Sequence, residues 1–219
     1  MKLWIFIPIL LNFLTNSLYC QTSDTVERGT FIDKIENQEY GWARIGDQIW
    51  MTENLNYDDP FRMRAFYMPE DYYMDYGRLY DWHTANKVCP AGWHLPSDKE
   101  WQKLERFLGM ASPEDIGERG GSDFVGFKLQ SNVREIHTVK SSGFNAQFGG
   151  EFYYQTHIPP GNKGSWWTST LKESGLAWTR GLGRMKSDSG INGSEVERVG
   201  RDVRSYRSVR CVKDCLRQF

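Results

Sequence analysis

Cys89-Pro90-Ala91-Gly92-Trp93-His94-Leu95-Pro96-Ser97-Asp98-Lys99-Glu100-Trp101 is the stretch from which the architecture of this chain can be worked out. Ser97 and Glu100 stand three residues apart, the spacing of a capping box. In that arrangement the serine hydroxyl accepts from the glutamate amide while the carboxylate reaches back to the serine amide. Pro96 fixes the angle at which the chain runs into the helix, and Cys89 supplies a covalent anchor. The helix is expected over about 97–108, stopping at Gly109. Trp101, Leu104 and Leu108 form its apolar stripe, with Lys and Glu on the far side.

Working outward, 219 residues with 39% hydrophobic and 25% charged content suit one globular domain. The formal net charge of -1 gives no electrostatic case for a nucleic-acid partner. Nine tryptophans, eleven tyrosines and twelve phenylalanines let a domain poor in helix assemble a core from rings. At the N-terminus, Lys2 precedes an apolar run from Leu3 to Leu14 interrupted by Pro8 and Asn12. A bilayer needs about 20 such residues, so the run reads as a signal peptide over 1–20 with Gln21 as the new terminus. Lipid anchoring at Cys20 is the alternative, and the bulky Tyr19 argues against it. No second apolar segment follows, so no transmembrane segment is expected in the mature chain.

Export places the remaining cysteines, Cys89, Cys211 and Cys215, in an oxidising compartment. Cys89 and Cys211 lie in patterned sequence and are the expected pair, while Cys215 sits in the tail. The alternative is that all three are reduced and buried. A zinc site at Cys211 and Cys215 lacks a second ligand pair.

Residues 21–30 read as a polar lead-in. Trp42–Ile45 and Gln48–Met51 read as a hairpin turning at Gly46-Asp47. Residues 54–75 show no period, and Gly77–Asn86 suits a short helix. Residues 110–142 read as loop-rich with one more short helix. Strands are expected at Phe144–Phe148, Glu151–Tyr154, Trp166–Thr170, Ala177–Leu182 and Val209–Val212, with a mobile glycine-bearing loop within 181–200. The fold class is α+β, with short antiparallel strands, one well-defined helix and loop-rich connections.

Six blocks carry a family resemblance: Ile45-Gly46-Asp47-Gln48 with Trp50-Met51-Thr52-Glu53-Asn54-Leu55, then Tyr76-Gly77-Arg78-Leu79-Tyr80-Asp81-Trp82, and the Cys89–Trp101 run. Gly143-Phe144-Asn145-Ala146, Trp166-Trp167-Thr168-Ser169-Thr170 and Ser208-Val209-Arg210-Cys211-Val212-Lys213-Asp214 complete the set. In this order they resemble the Fibrobacter succinogenes major paralogous domain, over residues 31–215, leaving 216–219 as a tail. The resemblance implies an exported bacterial protein of C-type-lectin-like fold, distantly similar to the formylglycine-generating sulfatase modifiers. It assigns no activity. The paired catalytic cysteines of those modifiers are not matched, nor are the Glu-Pro-Asn or Gln-Pro-Asp triplets with which lectins of this fold hold calcium and sugar.

Few residues then suggest chemistry. His83, His94, His137 and His157 form no ligand pair at short spacing, and His94 reads as structural. Asp58-Asp59, Glu70-Asp71 and Glu114-Asp115 are of the kind that hold calcium on loops, yet such pairs are more often solvated, and no cofactor is expected. Aromatic residues offer stacking faces: Tyr72, Tyr73 and Tyr76 in the irregular loop, and Trp166 and Trp167, whose side chains point to opposite faces of a strand. The resulting expectation is an exported, non-catalytic binding or structural module that recognises a glycan or a surface protein, or packs against partners through its glycine-rich face, without nucleic acid. An enzyme of the sulfatase-modifier or hydrolase type is the alternative.

Overall fold

The computed structural model describes residues 27–58, 75–130, 140–154, 156–183 and 193–214. In chain order the elements begin with β1 (Arg28–Asp33), β2 (Gln38–Ile45), β3 (Gln48–Met51), β4 (Leu79–Tyr80), α1 (Trp82–Ala85) and α2 (Asp98–Phe107). Next come β5 (Gly117–Arg119), α3 (Val125–Leu129), β6 (Glu151–Tyr153) and β7 (Thr156–Ile158). The chain then runs through β8 (Lys163–Glu173), β9 (Leu176–Gly183), β10 (Val196–Asp202), β11 (Arg207–Ser208) and β12 (Val212–Asp214). One sheet has the order β1-β2-β3-β12 and is antiparallel throughout. The other has the order β4-β11-β8-β9-β10-β5, with β11 parallel to β8 and the remaining pairs antiparallel. β6 and β7 form a separate hairpin. Mixed strands with one helix longer than five residues among those described fit the α+β class.

The Cys89–Trp101 run ties these layers together. Cys89 and Cys211 are bonded across a separation of 122 residues, worth about 5 kcal/mol in the chain-entropy model. His94 exchanges backbone hydrogen bonds with Val212 at 3.0 and 2.9 Å, and the Pro96 carbonyl accepts from the Ser169 amide in β8. The capping box forms: Ser97 Oγ accepts from the Glu100 amide at 3.2 Å, and Glu100 Oε2 accepts from the Ser97 amide at 2.6 Å. His94 Nε2 lies 2.6 Å from Glu100 Oε1, so the imidazole braces the capping carboxylate. Burial opposes ionisation of Glu100, and the His94 and Ser97 hydrogen bonds outweigh it, holding its carboxyl below the usual range. The helix ends as expected, with Leu108 as its cap and Gly109 at φ +103°.

Trp101 and Leu104 are completely buried. Trp101 packs 5.1 Å from Trp50, 5.4 Å from Phe144 and 6.1 Å from Trp166, ring centre to ring centre. Each such pair contributes about 0.5–1.5 kcal/mol beyond area burial. A second cluster lies around Tyr40, Met51, Leu55, Tyr80, Leu95, Trp167 and Val209. Arg210, fully buried, joins the layers by donating to Asn54 Oδ1, Met51 O and Phe144 O at 2.8, 3.1 and 2.5 Å. Desolvation pushes its guanidinium down to about 9, with Glu53 acting against the shift.

Several expectations are corrected. Glu105 does not face solvent: it is 0% exposed and, with Asp98, meets three arginines of the sheet. Arg180 donates to Glu105 Oε1 at 2.6 Å and Asp98 Oδ1 at 2.8 Å, and Arg198 grips both Asp98 oxygens at 2.9 and 2.7 Å. Arg119 reaches both Glu105 oxygens at 3.1 and 3.2 Å. Burial of Asp98 resists ionisation, and Arg198 and Arg180 overcome it, holding the carboxyl low. Phe144–Phe148 forms no strand, because Phe144 packs into the core as part of a connection. Val209–Val212 is not one strand: residues 209–211 connect β11 to β12, which belong to different sheets, and only Val212 lies in a strand, opening β12. The lead-in is shorter than expected, since β1 opens at Arg28 and pairs with Ala43. Of the loop expected within 181–200, β9 and β10 occupy both ends, and 184–192 lie outside the described residues.

Candidate functional site

The aromatic platform expected at Trp166 and Trp167 is not a surface. Their side chains do point to opposite faces of β8, but both faces are covered, leaving them 1% and 0% exposed. Trp166 Nε1 donates to Asn54 Oδ1 and Trp167 Nε1 to the Tyr80 carbonyl, each at 2.8 Å. They are core residues, which corrects the reading of either as a ligand face. Tyr72 and Tyr73 lie outside the described residues. Tyr76 is half-buried; its carbonyl accepts from Asn54 Nδ2, and its hydroxyl stands near Gly161, in the turn from β7 to β8.

Exposed aromatic surface instead gathers where the β6–β7 hairpin meets the turn between β10 and β11. Tyr153 pairs with Thr156, which leaves Tyr154 at the turn of the hairpin. Tyr154 occupies the left-handed region, at φ 51°. Hairpin turns favour Asn, Asp or Gly there, and a tyrosine costs about 1–2 kcal/mol. Burial does not offset that cost, because Tyr154 is 61% exposed. Tyr153, 38% exposed, meets it edge to face with ring centres 4.5 Å apart. The Arg204 guanidinium lies 5.5 Å from the Tyr154 ring centre.

Asp202, the last residue of β10, organises this surface. Its Oδ1 accepts from the Arg204 amide at 2.9 Å and Nε at 3.0 Å. Its Oδ2 accepts from Arg204 Nη2 at 2.6 Å and the Tyr153 hydroxyl at 3.2 Å. The Arg204 hydrogen bonds pull the Asp202 carboxyl down to about 2, and the same pairing raises the guanidinium. Shielding and the Asp202 charge push the Tyr153 phenol up.

Beneath the hairpin the support is rigid and charged. Phe152 and Tyr206 exchange backbone hydrogen bonds at 3.1 and 2.8 Å, joining the hairpin to the turn that carries Arg204. Glu151 accepts from Lys163 Nζ at 3.1 Å, and Arg207 Nη2 stands 3.2 Å from its other oxygen as an ion contact. Burial resists ionisation of Glu151, but Arg207 and Lys163 hold its carboxyl at about 2. Desolvation lowers the Arg207 guanidinium to about 10 despite Glu151, and it lies 4.8 Å from the Trp167 ring centre. At Gly150, φ +74°, a Cβ would stand 2.1 Å from the Ile158 carbonyl oxygen, so any side chain there would displace the hairpin.

Reading the sequence missed Tyr153, Tyr154, Asp202 and Arg204. The available signal was the adjacent tyrosine pair at the end of a recognised strand. Among the described residues no three His, Cys, Asp or Glu side chains gather as a metal site would require. The arrangement presents exposed ring faces beside a guanidinium held by Asp202.

No curated protein and no solved structure matches the chain. Residues 43–213, which carry the whole six-stranded sheet, the disulfide and this surface, match the model of the Fibrobacter succinogenes major domain, and the chain belongs to that family.

Proposed function

We propose that this chain is an exported, non-catalytic binding module of C-type-lectin-like architecture that recognises a glycan at the cell surface or outside the cell. Tyr154 carries the reading: an exposed ring held in a costly backbone conformation that no burial offsets. Strain of this kind persists where the surrounding structure enforces it and commonly marks ligand contacts. The face of an aromatic ring is electron-rich, and the C–H face of a pyranose stacks on it. Export is supported by the apolar run after Lys2 and by the Cys89–Cys211 bond, which suits an oxidising compartment. That bond also occupies two sulfurs that a thiol-dependent oxidase would need free.

A glycan array and pull-down with the secreted chain test this function. Retention of a saccharide by the wild type, and its loss in a Tyr154→Ala variant that still folds, with a melting temperature lowered by no more than the few degrees its two ring contacts supply, is the expected result. Retention of no saccharide, or turnover of a polysaccharide, would overturn it. Mass spectrometry of the exported chain checks the signal peptide by finding Gln21 at the N-terminus.

A further inference from the structure

Resting on the glycan-binding reading, we propose that the Tyr154–Arg204 surface recognises a carboxylated saccharide, a uronic or other sugar acid, with its carboxylate on Arg204 and its ring on Tyr154. Arg204 presents two donor edges. Nε and Nη2 form one, and both are spent on Asp202 at 3.0 and 2.6 Å. The other edge, Nη1 with the second Nη2 hydrogen, takes no partner among the described residues, and the side chain is 68% exposed. A guanidinium is a rigid planar fork whose parallel N–H bonds match the two oxygens of a carboxylate. Asp202 therefore aims a preformed, unused fork beside the exposed ring.

Asp202 itself is not available to a ligand. Both its oxygens already accept twice, from Arg204 and from the Tyr153 hydroxyl. That makes it a positioning residue, and it leaves a surface rich in donors and poor in acceptors. A neutral sugar, which offers hydroxyl donors as well as acceptors, finds no free carboxylate in this cluster and only the tyrosine hydroxyl oxygens as side-chain acceptors. A ligand bearing a carboxylate uses the donors that are present. The Tyr154 ring, 5.5 Å from the guanidinium, lies within the span of a single pyranose.

Titration of the full exported chain with oligogalacturonate, with its fully methyl-esterified form, with a neutral glucan oligosaccharide, with a sulfated dextran oligosaccharide and with oligoglutamate tests the proposal. The ester keeps the sugar and removes only the charge. The acid is expected to bind at least about tenfold more tightly than the ester, and Arg204→Lys, which keeps charge but not the fork, to lose most of that difference. Asp202→Asn should weaken the acid more than it weakens the ester. Equal affinity for acid and ester, or preference for the neutral glucan, overturns the carboxylate reading and leaves glycan binding standing. Tighter binding of sulfated dextran overturns the carboxylate in favour of a sulfated sugar. Binding of oligoglutamate as tight as that of the uronate overturns the saccharide and points to an acidic peptide. Binding of none of these overturns this proposal, and the array decides the broader one separately.

Discussion

Glu105→Gln is the sharpest test of how α2 is held to the sheet. Glu105 is 0% exposed, and its oxygens receive Arg180 at 2.6 and 3.4 Å and Arg119 at 3.1 and 3.2 Å. The substitution keeps the size of the side chain and removes its charge. Arg119 then loses the carboxylate it pairs with, and Arg180 and Arg198 are left with Asp98 as the remaining carboxylate of the network. Removing one member of a buried ion pair typically costs about 3–5 kcal/mol, because the partner charge stays behind uncompensated. At about 2–4 °C per kcal/mol for a domain of this size, the melting temperature should fall by about 6–20 °C.

Glu114→Gln supplies the control. Glu114 pairs with Arg106 at 3.2 Å, but both side chains are more than half exposed, so its loss should cost under about 1 kcal/mol. Thermal and denaturant unfolding of both variants under oxidising conditions measures the difference. If Glu105→Gln costs no more than Glu114→Gln, the buried network does not hold the helix, and Glu105 faces solvent as its residue type alone would suggest.

Two further outcomes follow from the same geometry. Native protein should resist alkylation at Cys89 and Cys211 until reduced, and Cys89→Ser should lose up to about 5 kcal/mol of stability, the value for a closed loop of 122 residues; rapid labelling of either thiol in the oxidised native chain would refute the bond. Glu151, with its carboxyl lowered to about 2 from an ordinary 4.5, contributes stability that is present above pH 4.5 and is lost as pH falls through 2. That contribution is about 3 kcal/mol at neutral pH, so Glu151→Gln should flatten the acid limb of a stability–pH curve between about pH 4.5 and 2; an unchanged slope would refute the pairing with Arg207 and Lys163.

How much was legible in the sequence depends on the range over which each feature is decided. The capping box, the hairpin turning at Gly46-Asp47 and the stripe of α2 are set within a few residues, and short windows contain them. Glu105 is instructive because its position also was within reach. Positions 101, 104, 105 and 108 share one helix face, so a carboxylate at 105 lies inside the apolar stripe, not opposite it. What the window lacks is the partner: Arg180 and Arg198 stand opposite each other across β9 and β10, an arrangement that is repulsive until an acid from α2 is placed between them.

The candidate site separates on the same line, and it shows how to weigh an aromatic residue. Strand periodicity correctly assigns Trp166 and Trp167 to opposite faces of β8. Whether either face meets solvent is decided by distant segments that cover the sheet, and both are covered. The β6–β7 turn escaped notice because Tyr154 stands where Asn or Gly is expected, and Arg204 joins it only through the Phe152–Tyr206 hydrogen bonds. Local preference and observed structure thus disagree at Tyr154 and agree at Trp166 and Trp167. For the tryptophans, burial accounts for the residue. Tyr154 is 61% exposed at φ 51°, and burial does not account for it; under the proposed function a bound saccharide is the term that balances its cost. If that is right, Tyr154→Asn should fold at least as stably as the wild type, since Asn tolerates the left-handed region and gives up only exposed ring contacts of about 0.5–1 kcal/mol each, while losing saccharide binding. A variant that binds as the wild type does would show that the strained ring has no part in recognition.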